Sequence, residues 1–388
     1  MSVARHYVLA AGGTGGHLMP AHAVAEELTA RGHQVALITD ERGAKIPGIF
    51  GSSQTHILPP GRPAGGLVGW VKGLRGIWAG RSMSRRVYRK FRPSVVVGFG
   101  GYPALPALLA AFAEGVPTIV HDQNAVLGRV NRLVAGRVNA IATAYPEVMK
   151  LADKHAGKVH LIGNPVRDNV LALREQPFPA YAPGDPVHVL VTGGSQGATI
   201  LSQVVPAAVK LLPEALRARL RIVQQCRPED LDGVRAAYAA LGMVAELSTF
   251  IENFPARLAQ AQIVIARAGA STIAELTVAG RPAILVPLPS AMDDHQTYNA
   301  REMERNGGAV SIAQPDFTPE ELARHMQILA TTPDALETAA SRARECGLPN
   351  AVKDMADLIE SIGVAPIKND VVKVVPVKPA AGIRGVPA

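Results

Sequence analysis

Two features of this 388-residue chain predict an α/β protein built from two Rossmann-like, doubly wound domains with parallel sheets. Short β-rich apolar runs alternate with Ala/Leu-rich helical stretches along most of its length. One device then occurs twice: a strand, a cluster of the form G-G-[ST]-x-G, and a helix. The copies are Gly12-Gly13-Thr14-Gly15-Gly16 and Gly193-Gly194-Ser195-Gln196-Gly197. The length suits two cores, and the Pro-rich stretch from Gly163 to Pro186 supplies the seam. The expected organisation is a first domain over 1–164, a linker over 165–186, a second domain over 187–362 and a flexible tail over 363–388.

Strands are expected over 6–10, 34–39, 95–97, 118–120, 187–192, 221–225, 263–266 and 283–286. Composition supports a folded chain, since 48% of residues are hydrophobic and only 19% charged, which excludes a disordered chain and a coiled coil. The run from 95 to 113 is uncharged, but Gly98, Gly100, Gly101, Pro103 and Pro106 interrupt it, so it reads as strand, turn and helix rather than a membrane span. The apolar stretch Tyr7 to Ala11 is too short for the core of a signal peptide. Cys226 and Cys346 lie far apart without metal spacing, which fits a reducing, cytosolic compartment.

Glycines between a strand and a helix let backbone approach an anion, and the helix N-terminus offers free N–H groups and partial positive charge. The same glycines also make ordinary tight turns. Leu18 stands where a dinucleotide fingerprint has its third glycine, and no G-K-[ST] follows either cluster, so a dinucleotide site is disfavoured and a P-loop is excluded. Asp40, ending the second strand, remains a ribose contact only for that disfavoured reading.

His17 follows the first cluster at the mouth of the first strand, where open parallel sheets bind ligands. It suits a general base at neutral pH, or a loop hydrogen bond. His121-Asp122-Gln123-Asn124 follows another strand and offers four hydrogen-bonding side chains, either to a hydroxyl-rich ligand or to an ordered turn. In the second half, Arg267-Ala268-Gly269-Ala270-Ser271-Thr272 opens a helix after a strand. Glu275 lies one turn beyond Ser271, placed either to accept ribose hydroxyls or to complete a capping box with Thr272. Asp293, Asp294 and His295 lack the converging partners a metal needs, so no metal is expected there; Gln296 and Asn299 beyond them offer amides to a sugar.

Charge is distributed unevenly. The net charge is +8, yet no acidic residue lies between Glu41 and Glu114, where eleven basic residues do. Within that interval Leu67, Trp70, Val71, Leu74, Ile77 and Trp78 recur at helical spacing and hold both tryptophans. With Arg85, Arg86 and Arg89 behind it, the stripe fits a helix resting on anionic lipid, the other reading being a core-facing helix beside a solvated one. Gly69, Gly73, Gly76 and Gly80 weigh against the helix, each costing about 1 kcal/mol relative to Ala. No nucleic-acid-binding module accompanies the basic patch, so no nucleic acid partner is expected.

Taken in order, G-G-T-G-G-H (12–17), G-G-Y-P (100–103), H-D-Q-N (121–124), G-N-P-V-R (163–167), G-G-S-Q-G-A (193–198), R-A-G-A (267–270) with Glu275, and Asp294-His295-Gln296 to Asn299-Ala300 resemble the MurG family of bacterial transferases. Asp122 departs from the glutamate common at that position, and the tail lies outside the resemblance. The resemblance implies a GT-B fold, UDP-GlcNAc as donor, lipid I as acceptor, inversion at the anomeric carbon without a covalent intermediate, and no cofactor or metal. It also implies a place on the cytoplasmic side of the inner membrane, against its anionic face. By position it implies contacts to UDP-GlcNAc from Thr14, Gly15, Gly16, Asn124, Arg167, Ser195, Ile251, Ala270, Glu275 and Gln296, with His17 accepting the hydroxyl proton and Asn124 orienting the acceptor. A UDP-GlcNAc 2-epimerase on the same fold, or another GT-B lipid glycosyltransferase, is the competing expectation.

Overall fold

The computed structural model describes residues 4–13, 15–45, 54–61, 66–179, 181–182, 184–332 and 334–363. Thr14 and the expected tail beyond 363 lie outside them. The first sheet contains β1 (His6–Ala11), β2 (Gln34–Thr39), β3 (Gln54–Ile57), β4 (Val95–Gly100), β5 (Thr118–Asp122), β6 (Ala140–Thr143) and β7 (Val159–Leu161). Its order is β3-β2-β1-β4-β5-β6-β7, parallel throughout. The second contains β8 (Val187–Thr192), β9 (Leu220–Gln225), β10 (Glu246–Ser248), β11 (Ile263–Ala266), β12 (Ala283–Leu285) and β13 (Ala309–Ser311), in the order β10-β9-β8-β11-β12-β13 and again all parallel. Strand order reverses between β1 and β4 and between β8 and β11, and ligands of such sheets lie beyond these switch points. All eight expected strands form.

Helices cover both faces of each sheet, so the central strands are sealed: Val95, Val96 and Val97 of β4 are fully buried. One helix changes lobes. Ala351–Ile362 was expected to close the second domain, but it packs Met355, Ala356, Leu358 and Ile359 into the first core beside Tyr7, Leu9 and Leu28. Glu360 secures it, pairing with Arg31 at 3.0 Å and His33 at 2.7 Å. An apolar face on a helix does not say which lobe will cover it.

The helix Gly66–Phe91 forms despite its glycines, and the structure explains why. Gly76 and Gly80 face inward: a Cβ at Gly76 would stand 2.3 Å from the Gly61 Cα, and one at Gly80 would stand 3.1 Å from Pro106. Tyr102 Oη donates to the Gly76 carbonyl at 2.8 Å. The glycines thus permit close packing that a larger residue would prevent. The other face carries Trp70, Val71, Leu74 and Trp78, exposed by 59%, 49%, 49% and 64%. A core-facing stripe is therefore excluded for these four; of the Leu67 side chain nothing is described. Arg85 and Arg89 share the carboxylate of Glu114, at 2.6 and 3.7 Å, whereas Arg86 is exposed.

Candidate active site

In the first lobe the loops after β1 and β4 interlock. A Cβ at Gly12 would lie 2.4 Å from the Pro103 ring, and one at Gly101 would lie 2.3 Å from the Gly12 carbonyl oxygen, so neither loop tolerates a side chain there. Gly100, at φ +108°, leaves the space that the His17 ring fills. Gly15 and Gly16 begin the helix Gly15–Ala30. Asp40 is occupied: its Oδ1 accepts from the Gly13 and Gly43 N–H groups at 3.2 and 2.9 Å, and Arg42 lies 3.3 Å from Oδ2. Burial opposes its charge, but these partners prevail and hold its carboxyl below the usual range. It is a loop staple, not a ribose ligand.

His17 Nδ1 lies 3.1 Å from Gln123 Oε1, within hydrogen-bond distance. Burial disfavours the imidazolium and lowers the pKa of His17 below the ordinary histidine value, against the opposing pull of Gln123, Asp122 and the Phe99 carbonyl. A neutral imidazole at pH 7 is the protonation state a general base requires.

The H-D-Q-N segment does not present four side chains to the gap. His121, Asp122 and Gln123 are at most 3% exposed. Asp122 accepts from the Asn124 N–H at 3.2 Å, the Gly128 N–H at 2.6 Å and Asn131 Nδ2 at 2.9 Å, so it builds the turn. Asn124 alone faces the second lobe, where Asn299 meets it. Asn299 is fully buried; its Nδ2 donates to Asn124 Oδ1 and to the Ala268 carbonyl, both at 3.1 Å, and its Oδ1 accepts from the Ala125 N–H at 2.8 Å. That corrects the expectation for Asn299: its amide is committed to joining the lobes and is not offered to a sugar.

The second lobe contributes two helix N-termini. Thr199–Leu211 follows the glycine cluster and Ala270–Ala279 follows Gly269, neither with a side-chain cap. The capping-box alternative for Thr272 is therefore not realised. Gln225 organises the first loop, its Oε1 accepting from Thr192 Oγ1 at 2.9 Å and the Gly193 N–H at 3.2 Å. Ser195 is left exposed on the rim of that loop. Glu275 pairs with Arg167 at 2.9 Å, bridging the linker to the second lobe. Burial raises the pKa of Glu275, and the Arg167 guanidinium partly counters the rise.

Ile251 is buried beside the exposed Phe250. Gln296 Oε1 accepts from the Leu288 N–H at 2.9 Å. Asp293 is taken by Arg132 at 2.7 Å and Lys150 at 2.6 Å, two further contacts between lobes. Among the described residues no group of three His, Cys, Asp or Glu side chains could hold a metal ion. Sequence reasoning missed the structural roles of Asn299, Gln225 and Gly12. The first two lacked any local signal, whereas Gly12 had one in its own motif.

Two parallel-sheet lobes with a histidine and two uncapped helix N-termini at their strand ends define a protein of the GT-B fold. The sequence models of the glycosyltransferase family 28 N-terminal and C-terminal domains match residues 7–143 and 188–360. A relative from Erythrobacter litoralis, named UDP-N-acetylglucosamine–N-acetylmuramyl-(pentapeptide) pyrophosphoryl-undecaprenol N-acetylglucosamine transferase, is 61% identical over 95% of this chain and 93% of its own. One of the same name from Novosphingobium aromaticivorans is 62% identical over 94% of each chain. The crystal structure of Acinetobacter baumannii MurG superposes with a TM-score of 0.73 at 30% identity, covering 92% of this chain and 99% of that one. The chain belongs to the MurG family.

Proposed function

We propose that this protein moves N-acetylglucosamine from UDP-GlcNAc to the C4 hydroxyl of the muramoyl sugar of undecaprenyl-diphospho-muramoylpentapeptide, lipid I, giving lipid II for peptidoglycan synthesis. One pair of observations supports the reading: burial keeps His17 neutral at the strand end of the first lobe, and the second lobe has helix N-termini without side-chain caps at Thr199 and Ala270.

The acceptor hydroxyl attacks the anomeric carbon from the face opposite UDP, the bond from that carbon to the diphosphate oxygen breaks, and His17 takes the hydroxyl proton. Asn124 orients the acceptor. Charge growing on the leaving diphosphate is met by the helix N-terminus beside Ser195, by that at Ala270 and by the remaining guanidinium donors of Arg167. Glu275 accepts from ribose hydroxyls with the carboxylate oxygen that Arg167 leaves free. Uracil lies against the backbone at Ile251, and the Gln296 amide nitrogen, its oxygen already bonded, reaches the GlcNAc hydroxyls. From the first lobe, Gly15 and Gly16 offer backbone to the donor; Thr14, expected with them, lies outside the described residues.

No helix among the described residues is long and apolar enough to cross a membrane. The lipid-linked acceptor instead requires a surface contact, on the cytoplasmic leaflet of the inner membrane, and the exposed Trp70–Trp78 face with Arg86 at its flank supplies it. A soluble UDP-GlcNAc 2-epimerase would leave that face without a purpose. Transfer of radiolabelled GlcNAc from UDP-GlcNAc to a short-chain lipid I analogue, with and without chelator, tests the proposal. Product dependent on the acceptor is expected; UDP-ManNAc formed without acceptor would refute it.

A further inference from the structure

His17, Gln123 and His121 form a hydrogen-bonded chain whose proton positions can be deduced from its two ends. His121 Nε2 lies 2.8 Å from the Gly163 carbonyl oxygen, which only accepts, so Nε2 carries the proton and Nδ1 the lone pair. Gln123 Nε2 lies 2.8 Å from the Phe99 carbonyl oxygen, which fixes the amide: its nitrogen donates there and also, at 3.1 Å, to His121 Nδ1. The two constraints are independent and agree. Gln123 Oε1 therefore faces His17 Nδ1 at 3.1 Å as an acceptor, and His17 must be protonated at Nδ1. Nε2 is then the nitrogen that keeps the lone pair.

The chain is held rigidly at both ends. Gly163, at φ +94°, is so close to Leu348 that a Cβ would lie 2.7 Å from the Leu348 Cβ. At the other end the His17 ring sits against Gly100, where a Cβ would come within 2.8 Å. His121 and Gln123 are 0% and 3% exposed, so water does not compete for these bonds.

We infer that Gln123, oriented by His121 and Phe99, is a positioning residue that fixes the tautomer of His17 so that Nε2 is the basic atom. A histidine in the other tautomer would present an N–H to the incoming hydroxyl and could not accept its proton. The inference deepens the proposed reaction and rests on His17 being its base.

Two measurements separate the inference from that reading. The first is ¹⁵N NMR of the full chain labelled at histidine, with His17 assigned by loss of its signals in His17→Asn. His17 is expected as the Nδ1–H tautomer in the unaltered protein, with Nε2–H character growing in Gln123→Leu. A predominant Nε2–H form in the unaltered protein, or no change in Gln123→Leu, overturns the inference.

The second is steady-state kinetics with UDP-GlcNAc and the lipid I analogue. Gln123→Leu is expected to lower kcat roughly tenfold, the worth of one buried hydrogen bond, with KM for UDP-GlcNAc little changed. Gln123→Glu loses the N–H that donates to the Phe99 carbonyl and to His121 Nδ1, so it should not restore kcat. Full kcat in Gln123→Glu counts against this orientation of Gln123. A tautomer shift in Gln123→Leu with kcat intact would leave the relay standing and remove His17 as the base.

Discussion

The Asn299 amide nitrogen donates to the Asn124 side-chain oxygen at 3.1 Å, joining a loop of the first lobe to a helix of the second. Both halves of the Asn299 amide are used, and its Oδ1 is the acceptor for the Ala125 N–H, a buried backbone group. In Asn299→Ala that group is left without its partner, which costs about 1–3 kcal/mol. Urea denaturation should register a loss of this size, and UDP-GlcNAc affinity should fall with it because Asn124 loses its support. Unchanged stability would mean that the lobes are held together elsewhere.

Gly76 offers a case where local propensity and packing predict opposite signs. Replacing a helical glycine with alanine ordinarily stabilises by about 1 kcal/mol. Here the new methyl would stand 2.3 Å from the Gly61 Cα and 2.5 Å from the Pro60 carbonyl oxygen. Overpacking of this kind costs about 1–3 kcal/mol, so Gly76→Ala should lower the thermal midpoint. A raised midpoint would show that the 60–61 segment yields easily.

Buried histidines set a pH dependence of stability. Burial drives His121 down to about 4, well below the value near 6.5 of an unfolded histidine. The unfolded chain then binds the proton more readily than the folded one, so the stability from burying neutral His121 is complete above about pH 6.5 and is lost as pH falls towards 4. His17 contributes in the same sense. Urea midpoints should drop across that window, and the drop should be shallower in His121→Asn whatever its stability at pH 8.

The exposed tryptophans separate binding from folding. Trp70→Ala and Trp78→Ala remove side chains that are more than half exposed, so unfolding free energies should shift by no more than about 0.5 kcal/mol. Affinity for anionic vesicles should nonetheless fall roughly tenfold or more, since burying a large apolar side chain is worth about 1.5–3 kcal/mol. Arg86→Glu should weaken it further. Arg85→Glu should act through the fold as well, because Arg85 holds Glu114. Vesicle binding that survived Trp70→Ala combined with Trp78→Ala would move the contact surface elsewhere.

What the sequence made legible follows from the strength of its local signals. The strands at 95–97 and 187–192 are apolar β-branched runs ended by glycine and were readable on that basis. β6, Ala140–Thr143, is buried but half alanine, and β3, Gln54–Ile57, is polar and at a sheet edge, so neither carries a strand signature. Glycine clusters located the site because close backbone approach leaves a residue-level trace. The direction of His121 and Gln123 left none: β5 is buried along its whole length, so burial does not tell which side chain turns towards His17. The glycines of the Gly66–Phe91 helix looked like a flaw until Pro60, Gly61 and Tyr102 were seen against them.

The return of Ala351–Ile362 to the first core has a mechanical consequence. The polypeptide crosses between the halves twice, once through 163–186 and once near 346–351, so the second lobe is an insert on two tethers. Two tethers set far apart would define a hinge line, whereas two that meet act as a single pivot. Gly163 lies against Leu348 and Ala351, so the two hinge pins touch. Any swing that opens the cleft must therefore pivot beside the carbonyl to which His121 is bonded.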